Sequence, residues 1–165
     1  MDSITHLALG AVIGEAIAGK KIGKKAMVLG AATQFFPDID VVAALWLSPA
    51  DNLVAHRGLT HSLFFAIIAS LLFAVLAYKF FRKIHATYAF WLLFFGTQLV
   101  IHIFVDTFNA YGIGLWEPLR STRYSFDAVY VADPLFSLWL IAGAIFLIAL
   151  KKNKTSQRTQ RKFKI

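Results

Sequence analysis

The chain has 165 residues, of which 58% are hydrophobic, 15% aromatic and only 16% charged, and its mean hydropathy is +0.63. A soluble domain of this length cannot hide so much apolar surface, so composition predicts a single multi-pass membrane domain. The absence of cysteine excludes disulfides, thiolate metal sites and cysteine nucleophiles. The net charge of +8 is read as setting membrane orientation, and no nucleic-acid partner is expected.

In chain order, the first apolar segment is Ile4–Gly19, with Glu15 inside it and Gly10 and Gly14 at the spacing that lets membrane helices approach closely. No cleavable signal peptide is expected, because the chain starts Met-Asp without a basic stretch. Lys20, Lys21, Lys24 and Lys25 form a basic turn, and Ala26–Leu47 is the second segment. Pro37 must break or kink that segment, at Pro37-Asp38-Ile39-Asp40. A polar loop then ends in His56-Arg57-Gly58-Leu59-Thr60-His61-Ser62, with Thr60 the expected N-cap of the next helix. Ser62–Phe81 and Ala86–Val105 are clear spans, and Thr107–Ala132 is a polar, aromatic connection. Pro134–Leu150 is the last span, capped by Asp133. The expected organisation is an all-α helical bundle over residues 1–150 with four to five transmembrane segments. Residues 151–165 are read as a basic, disordered cytoplasmic tail.

Threading five passes puts 14 of the 17 basic residues on one side, which the positive-inside rule makes cytoplasmic. The N-terminus is then outside and the C-terminus inside. Eight of the nine acids fall on the outer side, and so do His6, His56, His61 and His102. At about 1.5 Å per residue, His6, Asp38 and His102 each lie roughly 20 Å from the cytoplasmic end of their segment, and His61 roughly 27 Å. Four segments thus bring imidazoles or carboxylates to a similar level.

Ionisable groups in a membrane are costly and by default mark function. Asp2/His6 and His102/Asp106 are carboxylate–imidazole pairs at i, i+4, on one helix face. For Asp2 an interfacial ion pair at the terminus is an equally good reading. The expected metal ligands are His6, Asp40, His61, His102 and Asp106, with Asp38 and His56 next. Asp38 is the expected base, with Arg57 and Arg123 as catalytic cations; His56, Arg57, Arg120 and Arg123 are expected to touch the substrate. Lipid-headgroup contact explains Arg120 and Arg123 as well. The aromatic residues are read as mostly lipid-facing and interfacial.

Thr5-His6, Pro37-Asp38-Ile39-Asp40, the 56–62 heptad and His102-x3-Asp106 occur in this order, followed by Tyr111-Gly112, Arg123-x-Ser125-x-Asp127 and Asp133-Pro134-Leu135. From Thr5 to about Leu135 the pattern resembles the YdjM-like family of inner-membrane metal-dependent hydrolases, some of whose members are described as LexA-regulated. The resemblance implies a bacterial or archaeal cytoplasmic-membrane protein with hydrolase activity. The ligand order is also similar to that of zinc-dependent phospholipase C enzymes, by analogy only. The expectation is a metal-dependent hydrolase of a lipid or lipid-linked phosphoester at the extracytoplasmic face, using Zn, with Mn or Fe compatible. The alternatives are an ion or proton transporter, for which Glu15 is the one candidate relay in the cytoplasmic half, and a non-catalytic membrane protein with a structural metal.

Overall fold

A computed structural model describes residues 2–46, 57–130 and 133–162. The described residues form five α-helices and no strand: α1 (Ser3–Ile22), α2 (Lys25–Phe35), α3 (Leu63–Phe80), α4 (Tyr88–Asp106) and α5 (Pro134–Lys162). Short 3-10 stretches cover Pro37–Leu45, Leu59–His61 and Arg82–Ile84. Two isolated bridges, Asn109 with Val129 and Ile113 with Tyr124, organise the connection after α4.

α1 and α2 form a tight hairpin because glycine lets their backbones touch. A methyl group on Gly10 would overlap the carbonyl oxygen of Gly30, and one on Gly14 that of Ala26. The spacing of Gly10 and Gly14 therefore marks a close helix contact, as expected. α2 ends at Phe35, two residues before Pro37, and the chain tightens into the 3-10 stretch. At 11 residues α2 is about 16 Å long, half a bilayer core. α3 and α4 are long and apolar enough to cross a membrane, and Pro134–Leu150 is a shorter apolar stretch of α5.

The N-cap of α3 is Ser62, whose hydroxyl accepts from the Phe65 amide at 3.1 Å, and not Thr60 as expected. Thr60 is diverted because its hydroxyl donates to Asp40. Asp133 caps α5, accepting from the amides of Leu135 (2.8 Å) and Phe136 (3.2 Å). α5 continues past Leu150 to Lys162, into the basic stretch expected to be disordered.

α3 buries a stripe of small residues, Ala66, Ala69, Ser70, Ala74 and Ala77, and turns Ile67, Ile68, Leu71 and Leu72 outward. At the basic end, Trp91, Phe94 and Phe95 are buried against Ala18, Ala26, Ala74 and Ala77. These three are core residues, whereas more of the described aromatics, Phe64, Phe80, Phe104 and Trp139 among them, are exposed, in keeping with the expectation that most face outward. Lys21 lies 4.5 Å from the Phe90 ring centroid and Lys25 5.0 Å from that of Phe81, at the same end. The start of α1, the Pro37 stretch, the start of α3 and the end of α4 meet at the other end.

Candidate metal centre

His6 sits one turn into α1, on a helix start fixed by Asp2. The Asp2 carboxylate accepts from the Thr5 amide (2.9 Å) and hydroxyl (2.5 Å), and the Thr5 hydroxyl lies 2.5 Å from Ser137 on α5. Burial opposes ionisation of Asp2, but the Thr5 hydrogen bonds outweigh it and hold the carboxyl below its ordinary range. Asp2 is thus a cap that ties α1 to α5, and it stands outside the cluster that His6 joins. α4 delivers His102 and Asp106 from one face, four residues apart. Asp38 comes from the stretch Pro37 imposes, and His61 from the turn before α3.

One potential ligand atom each from His6, Asp38, His102 and Asp106 lies within 4.8 Å of all the others. His6, His102 and Asp106 are fully buried and Asp38 is 3% exposed. His6 Nε2 is 3.1 Å from Asp106 Oδ1, and the His6 and His102 rings lie 3.9 Å apart between centroids. His61, also fully buried, points Nε2 at Asp106 Oδ2 (3.3 Å) and Asp38 Oδ1 (3.4 Å). Behind it, Nδ1 faces Asp40 Oδ2 at 3.4 Å and the Thr60 hydroxyl at 3.0 Å.

The donor set fits a divalent cation. Buried polar atoms without a hydrogen-bond partner cost about 1–3 kcal/mol each. His6 Nδ1, Asp38 Oδ2 and both ring nitrogens of His102 are such atoms here. Two imidazoles and two carboxylates suit Zn, Mn or Fe. Charge agrees: Asp38, Asp40 and Asp106 all face His61, and the guanidinium beside them among the described contacts is that of Arg57, whose Nε is 3.6 Å from Asp106 Oδ2. With neutral imidazoles that leaves two net negative charges for a divalent ion to balance. His61 faces that charge directly. Burial opposes its protonation, but Asp106, Asp38 and Asp40 outweigh burial and push its pKa up to about 10.

Asp40 works one layer back from the cluster. Its Oδ2 accepts from the Arg57 amide (2.9 Å) and the Thr60 hydroxyl (2.8 Å), pinning the turn that presents His61. Arg57 is 3% exposed, has φ +62°, and accepts the Gly114 amide at its carbonyl (2.9 Å). It joins the cluster to the connection after α4. Arg120 is exposed on that connection and Arg123 is half-buried. His56 lies outside the described residues.

Sequence reasoning missed three buried amides. Asn109 Nδ2 donates to the Asp106 carbonyl (2.7 Å) and its Oδ1 accepts the Tyr111 amide (2.9 Å), closing α4 into the loop. Gln34 Nε2 donates to the Gln98 carbonyl (2.8 Å), and Gln98 Nε2 to the Gly10 carbonyl (3.2 Å). Gln34 precedes Asp38 by four residues, Gln98 precedes His102 by four, and Gly10 follows His6 by four. A polar floor therefore lies one turn below the cluster on three segments. That shared four-residue offset was the readable signal.

Fold and site define a helical membrane protein with a buried His/Asp group at one end of its bundle. The profile of the YdjM inner membrane protein family matches residues 1–163, and the chain belongs to that family. It is an inner-membrane protein. Inner membrane protein YbcI of Escherichia coli K12 is 31% identical over 123 residues, covering 73% of this chain and 69% of YbcI. YfhP of Bacillus subtilis 168 is 29% identical over 154 residues, 88% of this chain but 46% of YfhP, so the chain spans about half the length of that relative. No solved structure matches.

Proposed function

We propose that the protein is a membrane-embedded metal-dependent hydrolase of a lipid or lipid-linked phosphoester. The observation that carries this is the convergence of His6, Asp38, His102 and Asp106, buried and within 4.8 Å, from three separate stretches of chain. These four are the metal ligands. Asp38, expected as a base, is better placed as a ligand than Asp40, which faces away onto Thr60 and the Arg57 amide. The basic residues at the opposite end support a topology with the N-terminus and cluster outside, the C-terminus in the cytoplasm, and four to five membrane-embedded segments. Zn is the favoured ion on its affinity for nitrogen–oxygen sites.

A divalent ion supplies Lewis acidity that activates water and polarises the substrate. Hydrolysis adds the water oxygen to phosphorus and a proton to the departing alcohol. His61 is the group that carries that proton, with Nε2 facing the cluster and Nδ1 held by Asp40 and Thr60. Arg57 offsets the charge beside Asp106 and holds the substrate's anionic oxygen. Arg120 and Arg123 meet the headgroup on the outer connection.

Elemental analysis of detergent-purified protein tests the site: about one metal per chain is expected for the wild type and loss in His6→Ala/His102→Ala. Equal metal in both, or none in either, overturns it. His61→Gln should keep the metal and lose hydrolysis of a phospholipid and phosphoester panel. The full burial of His6, His102 and Asp106 favours a second reading, a metal that only staples helices. A metal-loaded wild type inert on that panel would select it.

A further inference from the structure

Two of the buried amides keep an oxygen that the chemistry above does not use. Gln34 and Gln98 are fully buried, and the Oε1 atom of each has no hydrogen-bond partner among the described residues. Their nitrogens are engaged, Gln34 Nε2 on the Gln98 carbonyl and Gln98 Nε2 on the Gly10 carbonyl. Turning either amide over would therefore set oxygen against oxygen. One turn further down α4 the interior is apolar, with Phe94 and Phe95 buried. A leucine would close such a layer without an unmatched acceptor, and polar side chains kept inside a membrane domain mark function.

Directly above stands a group with the opposite need. His102 follows Gln98 by four residues and Asp38 follows Gln34 by four, so the glutamine pair lies about 6 Å, one helical turn, below the Asp38/His102 pair. Helical side chains lean toward the N-terminus of their helix, which tips His102 back over Gln98. His102 Nε2 is 3.7 Å from Asp38 Oδ1, on the cluster side, and Nδ1 has no partner. An imidazole that gives one nitrogen to a metal donates the proton on the other to a carboxylate, a carbonyl or water.

We infer that Gln34 and Gln98 are positioning residues that, through one buried water, hold the His102 proton on Nδ1 and leave the Nε2 lone pair for the metal. The inference rests on the metal-dependent reading and extends it to the layer beneath the ligands. The chemistry of the three unmatched atoms selects the occupant. It must accept one hydrogen bond, from Nδ1, and donate two, to the Gln34 and Gln98 oxygens. Water does both at once, making the roughly three bonds that buried waters make. A cation cannot accept from Nδ1, and an apolar group would leave all three atoms unmet.

The test uses the full chain in detergent, zinc-loaded and isotopically labelled at the histidine nitrogens, with the His102 resonances assigned by their loss in His102→Asn. The expected spectrum has the His102 proton on Nδ1, zinc on Nε2, and a cross-peak from that proton to a bound water. In Gln98→Leu the proton should exchange with solvent about tenfold faster, and zinc affinity should fall about tenfold. Trp91→Leu, which weakens the buried aromatic cluster at the opposite end of α4, should change neither; a merely structural role for Gln98 would make the two variants alike. Helicity is measured on each, and Gln34→Leu replaces Gln98→Leu should that chain misfold. Zinc bound with the proton on Nε2, a proton indifferent to Gln98→Leu, or equal losses in Trp91→Leu overturns the inference and leaves the metal site standing. So does a proton on Nδ1 with no cross-peak to water. A wild type that takes up no zinc overturns the hydrolase reading instead. The same spectrum on that chain then decides the water, upheld by a Gln98-dependent proton on Nδ1 and overturned by any other result.

Discussion

Gly30→Ala isolates the contact that holds His6 in place. The added methyl carbon would overlap the Gly10 carbonyl oxygen and lie 2.8 Å from Gln98 Nε2. The first obstacle is backbone and cannot rotate away, so α1 must move off α2 by on the order of 1 Å to restore ordinary contact distances. Replacing a helical glycine by alanine is by itself favourable by about 1 kcal/mol. Overpacking a tight contact costs about 1–3 kcal/mol, and the Gln98-to-Gly10 hydrogen bond adds about 1 kcal/mol when it stretches. The balance is a net loss of about 1–3 kcal/mol. Gly96→Ala is the internal control, since its methyl group would meet only the Ser70 Cβ at 3.9 Å, ordinary contact. That variant should gain up to about 1 kcal/mol from helix propensity. His6 precedes Gly10 by one turn, so movement of α1 opens its 3.1 Å approach to Asp106 and should weaken metal binding about tenfold or more. Thermal unfolding in detergent and metal titration on both variants measure the two effects. A Gly30→Ala protein as stable and as tight for metal as Gly96→Ala would refute the reasoning.

Gln98→Leu removes a buried donor to the Gly10 carbonyl and should cost about 1–3 kcal/mol in denaturant unfolding. Asp40→Asn should leave metal content near wild type but lower hydrolysis, because the Thr60 and Arg57 amide contacts that orient His61 weaken; loss of the metal instead would make Asp40 a ligand. Asp2 supplies a pH test. Its folded pKa lies below the unfolded value of 3.8, so its stabilising effect is present above that value and is lost as pH falls through the folded pKa. Asp2→Asn should therefore flatten the acid limb of the stability curve, and an unchanged acid limb would count against the cap at Thr5. Chelation should lower the unfolding temperature of the wild type and leave His6→Ala/His102→Ala unmoved.

The class of this protein was legible in its composition, because apolar helices are a property of local sequence. Pro37 announced the end of α2, Asp133-Pro134 the start of α5, and Gly10/Gly14 a close helix contact, each through backbone sterics that need no partner. The segregation of imidazoles and carboxylates from lysines was readable too, since helix rise places each residue along its own segment. Which of Asp38 and Asp40 joins the four-residue cluster was not: they flank Ile39 in one irregular turn, and Asp40 instead meets the Thr60 hydroxyl and the Arg57 amide. Thr60 lost its capping role for the same reason. Nor could sequence show that Trp91, Phe94 and Phe95 are core, because an aromatic side chain looks alike from within a helix whether lipid or another helix faces it. What the sequence by itself determined is which residues reach the cluster end of the bundle, since rise per residue is local. Which of them touch one another is decided by how α1, α2, α3 and α4 rotate and pack, and that belongs to the tertiary structure alone.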